Sequence, residues 1–276
     1  MIVEATAQES QRQNTTAPLS PAEFFSLVEV GQEGAIQGVV FPGRDGALTS
    51  HVWNRRGVAF GEWAAQKTHE RKPAYFTMAA FDPTAVADHK GRKQANVRAL
   101  RGFWVDVEGS EDKGGYAGSR AVFGALREFI QATHLTPNAL VLTGSGGAHL
   151  HYVLTVPISG AEWLPRARAL VALAASNGFK IDAQCTTDAA RIMRAPGSIH
   201  QKTGQPVTAR RLRAEPYTLD EFDTLAGFDP SSAPSAQGEA RRFDLSVNGD
   251  VIGSERGRYS YAQAAQRSGD LAATHA

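Results

Sequence analysis

Apolar and polar positions alternate most clearly along Gly102-Phe103-Trp104-Val105-Asp106-Val107-Glu108. Strand side chains point to alternate faces, so this stretch predicts a strand with Trp104, Asp106 and Glu108 on one face. Phe103, Val105 and Val107 then pack into a core. Upstream, Ser20-Pro21-Ala22-Glu23 carries an N-cap, a proline at the first helical position and a capping-box glutamate. That predicts a helix through Phe24, Phe25, Leu27 and Val28 to about Gly31. Residues 35–41 and 48–53 read as strands around the turn Pro42-Gly43-Arg44-Asp45-Gly46, and 75–81 as another. Residues 119–132 are helical, with Val122, Leu126, Phe129 and Ile130 at helical spacing. Pro137 and Asn138 precede a strand at 139–143, the loop Gly144–Gly147 and a second strand at 148–156. This hairpin sets His149 and His151 on the face opposite Leu150, Tyr152 and Leu154. Residues 163–177 form a helix closed by Gly178, 207–214 a strand and 216–228 a short helix.

From residue 102 the order is strand, helix, strand, strand, helix, then further extended structure. That is the split β-α-β-β-α-β pattern of a ferredoxin-like or RNA-recognition-motif-like sheet, an α+β fold. Its first strand lies centrally and one face is left open for a ligand, where Asp106, Glu108 and the histidines meet. Residues 19–228 read as one domain, whose first third is an N-terminal α/β extension without a nameable motif. Residues 1–18 are polar and read as disordered. Residues 229–276 read as a Ser/Pro/Ala/Gln-rich linker and the start of a helical region. The tail stops without a clear final element, as a chain cut from a longer protein does.

Composition removes several classes. No run approaches the ~20 apolar residues of a membrane span, and the N-terminus shows no apolar signal-peptide core. The one cysteine, Cys185, excludes an internal disulfide and a multi-cysteine zinc site. It reads as a small buried hydrophobe and fits a reducing cytoplasm. Net charge is only +1, so a nucleic-acid surface must be a local patch. Lys90, Arg92, Lys93, Arg98 and Arg101 make one such stretch just before the acidic strand. By itself it is a solvated loop; beside that strand it is a candidate grip on a phosphate backbone.

Two carboxylates at i and i+2 on one strand face repel unless a positive group stands between them, and a divalent cation with oxygen ligands is the usual solution. Taken alone, Asp106-Val107-Glu108 reads first as the wet face of an edge strand. Downstream residues change that. Ser145-Gly146-Gly147-Ala148-His149, Ile181-Asp182 and Arg191-Ile192-Met193-Arg194-Ala195-Pro196-Gly197 follow in order, with Lys202 nearby. Together these motifs resemble the archaeo-eukaryotic primase (AEP) superfamily, nearest to primase-polymerases of phages, plasmids and mobile elements. Such proteins show Asp-x-Asp/Glu, Ser-x-His or Ser-Gly-x-Gly-x-His, and hydrophobic-Asp, often followed by Arg-x-x-Arg-x-Pro-Gly. The likeness covers roughly residues 75–215.

The resemblance implies an AEP catalytic core acting as a template-directed nucleotidyltransferase. It would make or extend primers on single-stranded DNA from NTPs or dNTPs, with a helicase domain or other replication protein as partner. Asp106, Glu108 and Asp182 would hold Mg²⁺ or Mn²⁺ in a two-metal site, and no zinc is expected. His149 would contact the incoming triphosphate beside Ser145, Gly146 and Gly147. Arg191, Arg194 and Lys202 would serve triphosphate or template phosphates.

Each assignment has a rival. Asp182 also suits a cap or turn residue, leaving Asp188 as third ligand, and Arg191 also suits a surface pair with Asp188. His149 also suits a satisfied surface histidine, and His151 a structural one. His200 stands where relatives often carry Asn, so its role is open. His149-Leu150-His151 also fits the His-hydrophobic-His nucleases, with Tyr217, Tyr259 or Tyr261 as nucleophile. A catalytically dead binding module on an RNA-recognition-like sheet is a third reading.

Overall fold

A computed structural model describes residues 17–43, 50–68, 71–86 and 91–232. The turn at Asp45-Gly46, Lys90, the polar N-terminus up to residue 16 and the tail from residue 233, with Tyr259 and Tyr261, lie outside the described residues. The longest strands are β6 (Val97–Val107) and β8 (Ala148–Ile158), which pair antiparallel and carry the alternation anticipated for them. Beyond β8 lie β7 (Ala139–Leu142), β10 (Thr208–Arg211) and β1 (Pro18–Leu19); beyond β6 lies β5 (Ala79–Phe81). Helix α3 (Gly118–Thr133) connects β6 to β7, and α4 (Gly160–Ser176) follows β8. The strand-helix-strand-strand-helix order is therefore as expected.

The departure comes at the last strand. β9 (Ile192–Arg194) does not return to the edge of this sheet but joins a second one, ordered β3-β2-β4-β9. That sheet comprises β2 (Gly38–Phe41), β3 (Ser50–Trp53) and β4 (Tyr75–Thr77) as well. The single strand expected over 75–81 is split at Met78: its first half enters the second sheet and its second half the first. An additional helix, α2 (Phe60–Thr68), was not foreseen. It packs on α1 (Pro21–Val28) so closely that a Cβ on Gly61 would overlap Ser26. Helix α1 itself starts with the anticipated capping box, Ser20 N donating to Glu23 Oε2 at 2.8 Å, but stops at Val28 rather than Gly31.

Both faces of the larger sheet are covered. On the Phe103–Tyr152 side, Phe222 of α6 (Leu219–Ala226) stacks on Phe103 at 4.1 Å. On the histidine side, Phe24 of α1 meets the His151 ring edge-on at 5.2 Å, and Phe76 of β4 lies 6.1 Å from it. Such contacts fix ring geometry beyond simple burial. The anticipated open face is thus closed along the middle of β6 and β8, because the unremarkable first third of the chain supplies a layer for it. Trp104 is wholly buried there, its Nε1 donating to Cys185 O at 2.9 Å. Cys185 is buried as expected. No helix among the described residues is long and apolar enough to cross a membrane.

Candidate active site

What remains open is the end of β6. Register places Asp106 opposite His149 and Trp104 opposite His151. Asp106 Oδ1 lies 3.7 Å from His149 Nε2, too long for a hydrogen bond. Burial pushes the Asp106 carboxyl up to about 6, Asp182 and Glu108 add to the rise, and Arg191 and Arg194 oppose it. His149 is buried and held well below its usual value by burial, then by His151, Arg194 and Arg191. At neutral pH it is an uncharged imidazole beside a carboxylate, not the cation of an ion pair.

Asp182 arrives by a backbone contact. The edge of β6 next to Asp106 is the position that a returning last strand would have paired. Instead the Asp182 N–H donates to Asp106 O at 2.9 Å. The Asp182 side chain also caps the short helix α5 (Ala183–Thr186), Oδ1 accepting from Cys185 N at 2.8 Å. The cap reading of this residue is thus observed, and the same carboxylate also lines the cavity beside Asp106 and Glu108. Asp188 lies further round: its Oδ1 accepts from Ala190 N at 3.0 Å and Gln94 Nε2 at 3.3 Å. Glu108 pairs with Lys113, Oε2 to Nζ 3.0 Å.

Asp106 borders three cavities. One, of about 310 Å³, is lined by Asp106, Glu108 and Asp182 with Lys113 and Lys180. A second, of about 340 Å³, is walled by Arg92, Arg191, Arg194, Tyr75, His149 and Asp188. A third, of about 90 Å³, lies between Glu108, Lys113, Ser145, His149, Arg194 and His200. Carboxylates gather on one side of Asp106 and guanidinium groups on the other.

The glycine loop is pressed onto the carboxylate strand. A Cβ on Gly147 would sit 2.6 Å from Val107 O, and one on Gly109 would overlap Gly146. Gly144 and Gly146 have φ of +78° and +92°, which glycine adopts without steric cost. Thr143 Oγ1 donates to Gly147 O and contacts Ser145 Oγ, both at 3.0 Å. The turn carrying His200 is bound to this loop through Thr203 Oγ1 and Gly144 O at 2.8 Å.

Of the residues singled out from sequence, Asp106, Glu108, Asp182, Ser145, Gly147, His149, Arg191 and Arg194 line these cavities. Gly146 packs behind them. Lys202 sits exposed on the next turn, and its charge acts on His200. Lys113 and Tyr75, which the sequence did not mark, line the cavities as well. Of the basic stretch before β6, Arg92 lines the arginine-walled cavity. Arg98 instead pairs with Asp82, and Arg101 donates to Glu29 O at 2.9 Å. His200 is buried, its Nδ1 accepting from Thr203 N at 3.2 Å, and it lines the smallest of the three cavities.

For a divalent cation the donor chemistry fits: half-buried Asp106 and exposed Asp182 are hard oxygen donors lining one cavity with Glu108. Among the described residues, however, no three His, Cys, Asp or Glu side chains stand in metal-holding proximity, and Glu108 is turned to Lys113. The His-hydrophobic-His nuclease fares worse. His151 is walled off by Phe24 and Phe76, and the Tyr217 hydroxyl is committed to Thr136 O at 2.6 Å. A base-stacking module lacks its platform, since Trp104 is buried beneath Trp163 at 4.8 Å.

No family model matches the chain, and no curated protein matches its sequence. Among solved structures it is similar to the AEP domain of the cyanophage S-2L primase-polymerase. The TM-score is 0.52 and the identity 16%, over 75% of this chain and 96% of that one. It is also similar to the catalytic domain of primase RepB′ in complex with initiator DNA, with TM-score 0.45 and identity 14% over 81% and 97% of the chains. A further structure of primase RepB′ gives TM-score 0.43 and 12% identity over 93% and 69%. The fold anticipated from the motifs, an AEP-type α+β core, is the fold observed.

Proposed function

We propose that the chain is a template-directed nucleotidyltransferase, a primase-polymerase that makes or extends primers on single-stranded DNA. The observation that carries this reading is the position of Asp106. It forms a common wall between a carboxylate-lined cavity and a cavity walled by Arg92, Arg191 and Arg194. Nucleotidyl transfer needs that division: cations held by carboxylates at the reacting phosphorus, and fixed positive charge for the rest of a triphosphate or the template backbone. The AEP-type fold supports it.

In this reading Asp106 and Asp182, with Glu108 once it leaves Lys113, hold Mg²⁺ or Mn²⁺. A cation held there would supply charge stabilisation for nucleotidyl transfer. His149, neutral and buried against the strand, offers a hydrogen bond to a triphosphate oxygen without bringing a charge into the crowded carboxylate cluster. Arg191 and Arg194 orient the triphosphate, and Ser145 with the Gly146–Gly147 backbone closes the other side. NTPs or dNTPs are the substrates and single-stranded DNA the template. A helicase or other replication protein as partner, and residues 19–228 as the catalytic unit in a reducing cytoplasm, belong to the same reading.

The test is incubation with labelled nucleotides, Mg²⁺ or Mn²⁺, and single-stranded DNA with and without an annealed primer. Metal-dependent products that vanish in the double variant Asp106→Ala, Glu108→Ala are expected. Full synthesis by that variant, or a denaturation-resistant DNA–protein adduct in place of products, overturns the assignment.

A further inference from the structure

The loop 109–115, which leads from the carboxylate strand to α3, is tied down along its backbone. Tyr116 N donates to Glu108 O at 2.9 Å, Gly115 N to Ser110 O at 3.0 Å, and Gly118 N to Gly109 O at 3.2 Å. A Cβ on Gly115 would overlap the Glu108 carbonyl. From this fixed frame Lys113 reaches Glu108 with 65% of its side chain exposed. The carboxylate cavity and the small polar cavity share three lining residues: Asp106, Glu108 and Lys113. Lys113 is therefore the positive group standing between the carboxylates and the pocket formed by Ser145, His149, Arg194 and His200.

So exposed an ion pair is weak, and a lysine makes it through a flexible four-carbon stem with three rotatable donors. Rotation about that stem moves the ammonium from one cavity to the other while the backbone stays fixed. We propose that Lys113 is a further triphosphate-binding residue, which exchanges Glu108 for a phosphate oxygen when a nucleoside triphosphate enters the small cavity. Glu108 is then released to the divalent cation. The inference rests on the nucleotidyltransferase reading above. Without nucleotide, the Lys113 ammonium competes with the cation for Glu108; with nucleotide, each ligand strengthens the other by the same factor.

The experiment measures Mn²⁺ binding to the full chain by calorimetry, alone and with a non-hydrolysable triphosphate analogue, and analogue binding with and without Mn²⁺. Lys113→Met keeps the stem and removes the charge. It should bind Mn²⁺ alone about threefold more tightly than the wild type, the scale of an exposed ion pair. It should also bind the analogue severalfold more weakly and lose most of the coupling, while Lys113→Arg retains both. In a Glu108→Gln background the Mn²⁺ effect of Lys113→Met should disappear. Its persistence there, or unchanged Mn²⁺ and analogue affinities in Lys113→Met, overturns the exchange even where the wild type binds both ligands. A wild type that binds neither ligand overturns the nucleotidyltransferase reading as well.

Discussion

His149 and His151 lie two residues apart on one strand, face the same way and are both buried, yet they occupy different chemical worlds. His149 faces a carboxylate and borders two cavities. His151 faces Phe24 and Phe76, and neither of its ring nitrogens finds a partner among the described residues. The difference is what covers them: rings of α1 and β4 pack directly on His151, while Tyr75 and Arg194 of the second sheet face His149 across a cavity. Identical alternation along a strand therefore tells which side chains share a face, and nothing about which of them stay accessible.

Four substitutions break or sharpen this contrast. Asp106→Asn removes the group on which both larger cavities depend. Nucleotide incorporation should fall about 10³-fold or more, the scale of several kcal/mol of charge stabilisation in the transition state. Thermal stability should hold, because the change removes a charge that Asp182 and Glu108 repel. Primer-extension rates and a melting curve check both. Phe76→Ala attacks the covered half instead. Phe76 is fully buried and packs edge-on against Phe24 at 5.6 Å and Phe25 at 5.4 Å. Its loss should cost about 3–5 kcal/mol in denaturant unfolding.

His149→Ala should raise the nucleotide KM about tenfold with kcat less affected, as expected for one hydrogen bond to a charged phosphate. Steady-state kinetics with varied nucleotide measures it, and an unchanged KM removes His149 from the triphosphate site. His151→Leu is the smallest change and the sharpest contrast. Replacing an unpartnered buried imidazole should leave activity intact and stabilise the fold by roughly 1 kcal/mol. The gain should grow in acid. Burial lowers the His151 value from 6.5 to about 3, so only the unfolded chain takes up that proton between those limits. The wild type accordingly loses stability as pH falls from about 6.5 towards 3, and the leucine variant escapes that loss.

The candidate site was legible to an unequal degree. Asp106, Glu108 and His149 stood out because a strand's two-residue period is local, and their motifs lie on strands that pair directly. Arg191 and Arg194 were found through the motif and not through any property of the isolated stretch. Asp182 was legible as a residue but ambiguous in role, since one carboxylate can cap a helix with one oxygen and face the site with the rest. Lys113 and Tyr75 carried no local mark: one closes a loop against its own strand, the other lies on a different sheet. Lys202 is exposed just beyond His200 and lines none of the three cavities.

By itself the sequence determined the local periods: the alternating strands read over 102–108 and 148–156, the capped helix after Ser20, the glycine loop between two strands. These depend on neighbours within a few residues, where side-chain direction and backbone sterics suffice. Only the tertiary structure decided that β9 leaves the expected sheet, that the strand at 75–81 divides at Met78, and that the resulting second sheet buries His151 while leaving His149 at the site. Those outcomes depend on which apolar surfaces from distant segments cover one another. Burial is a property of the assembled layers, and no single stretch of chain contains it.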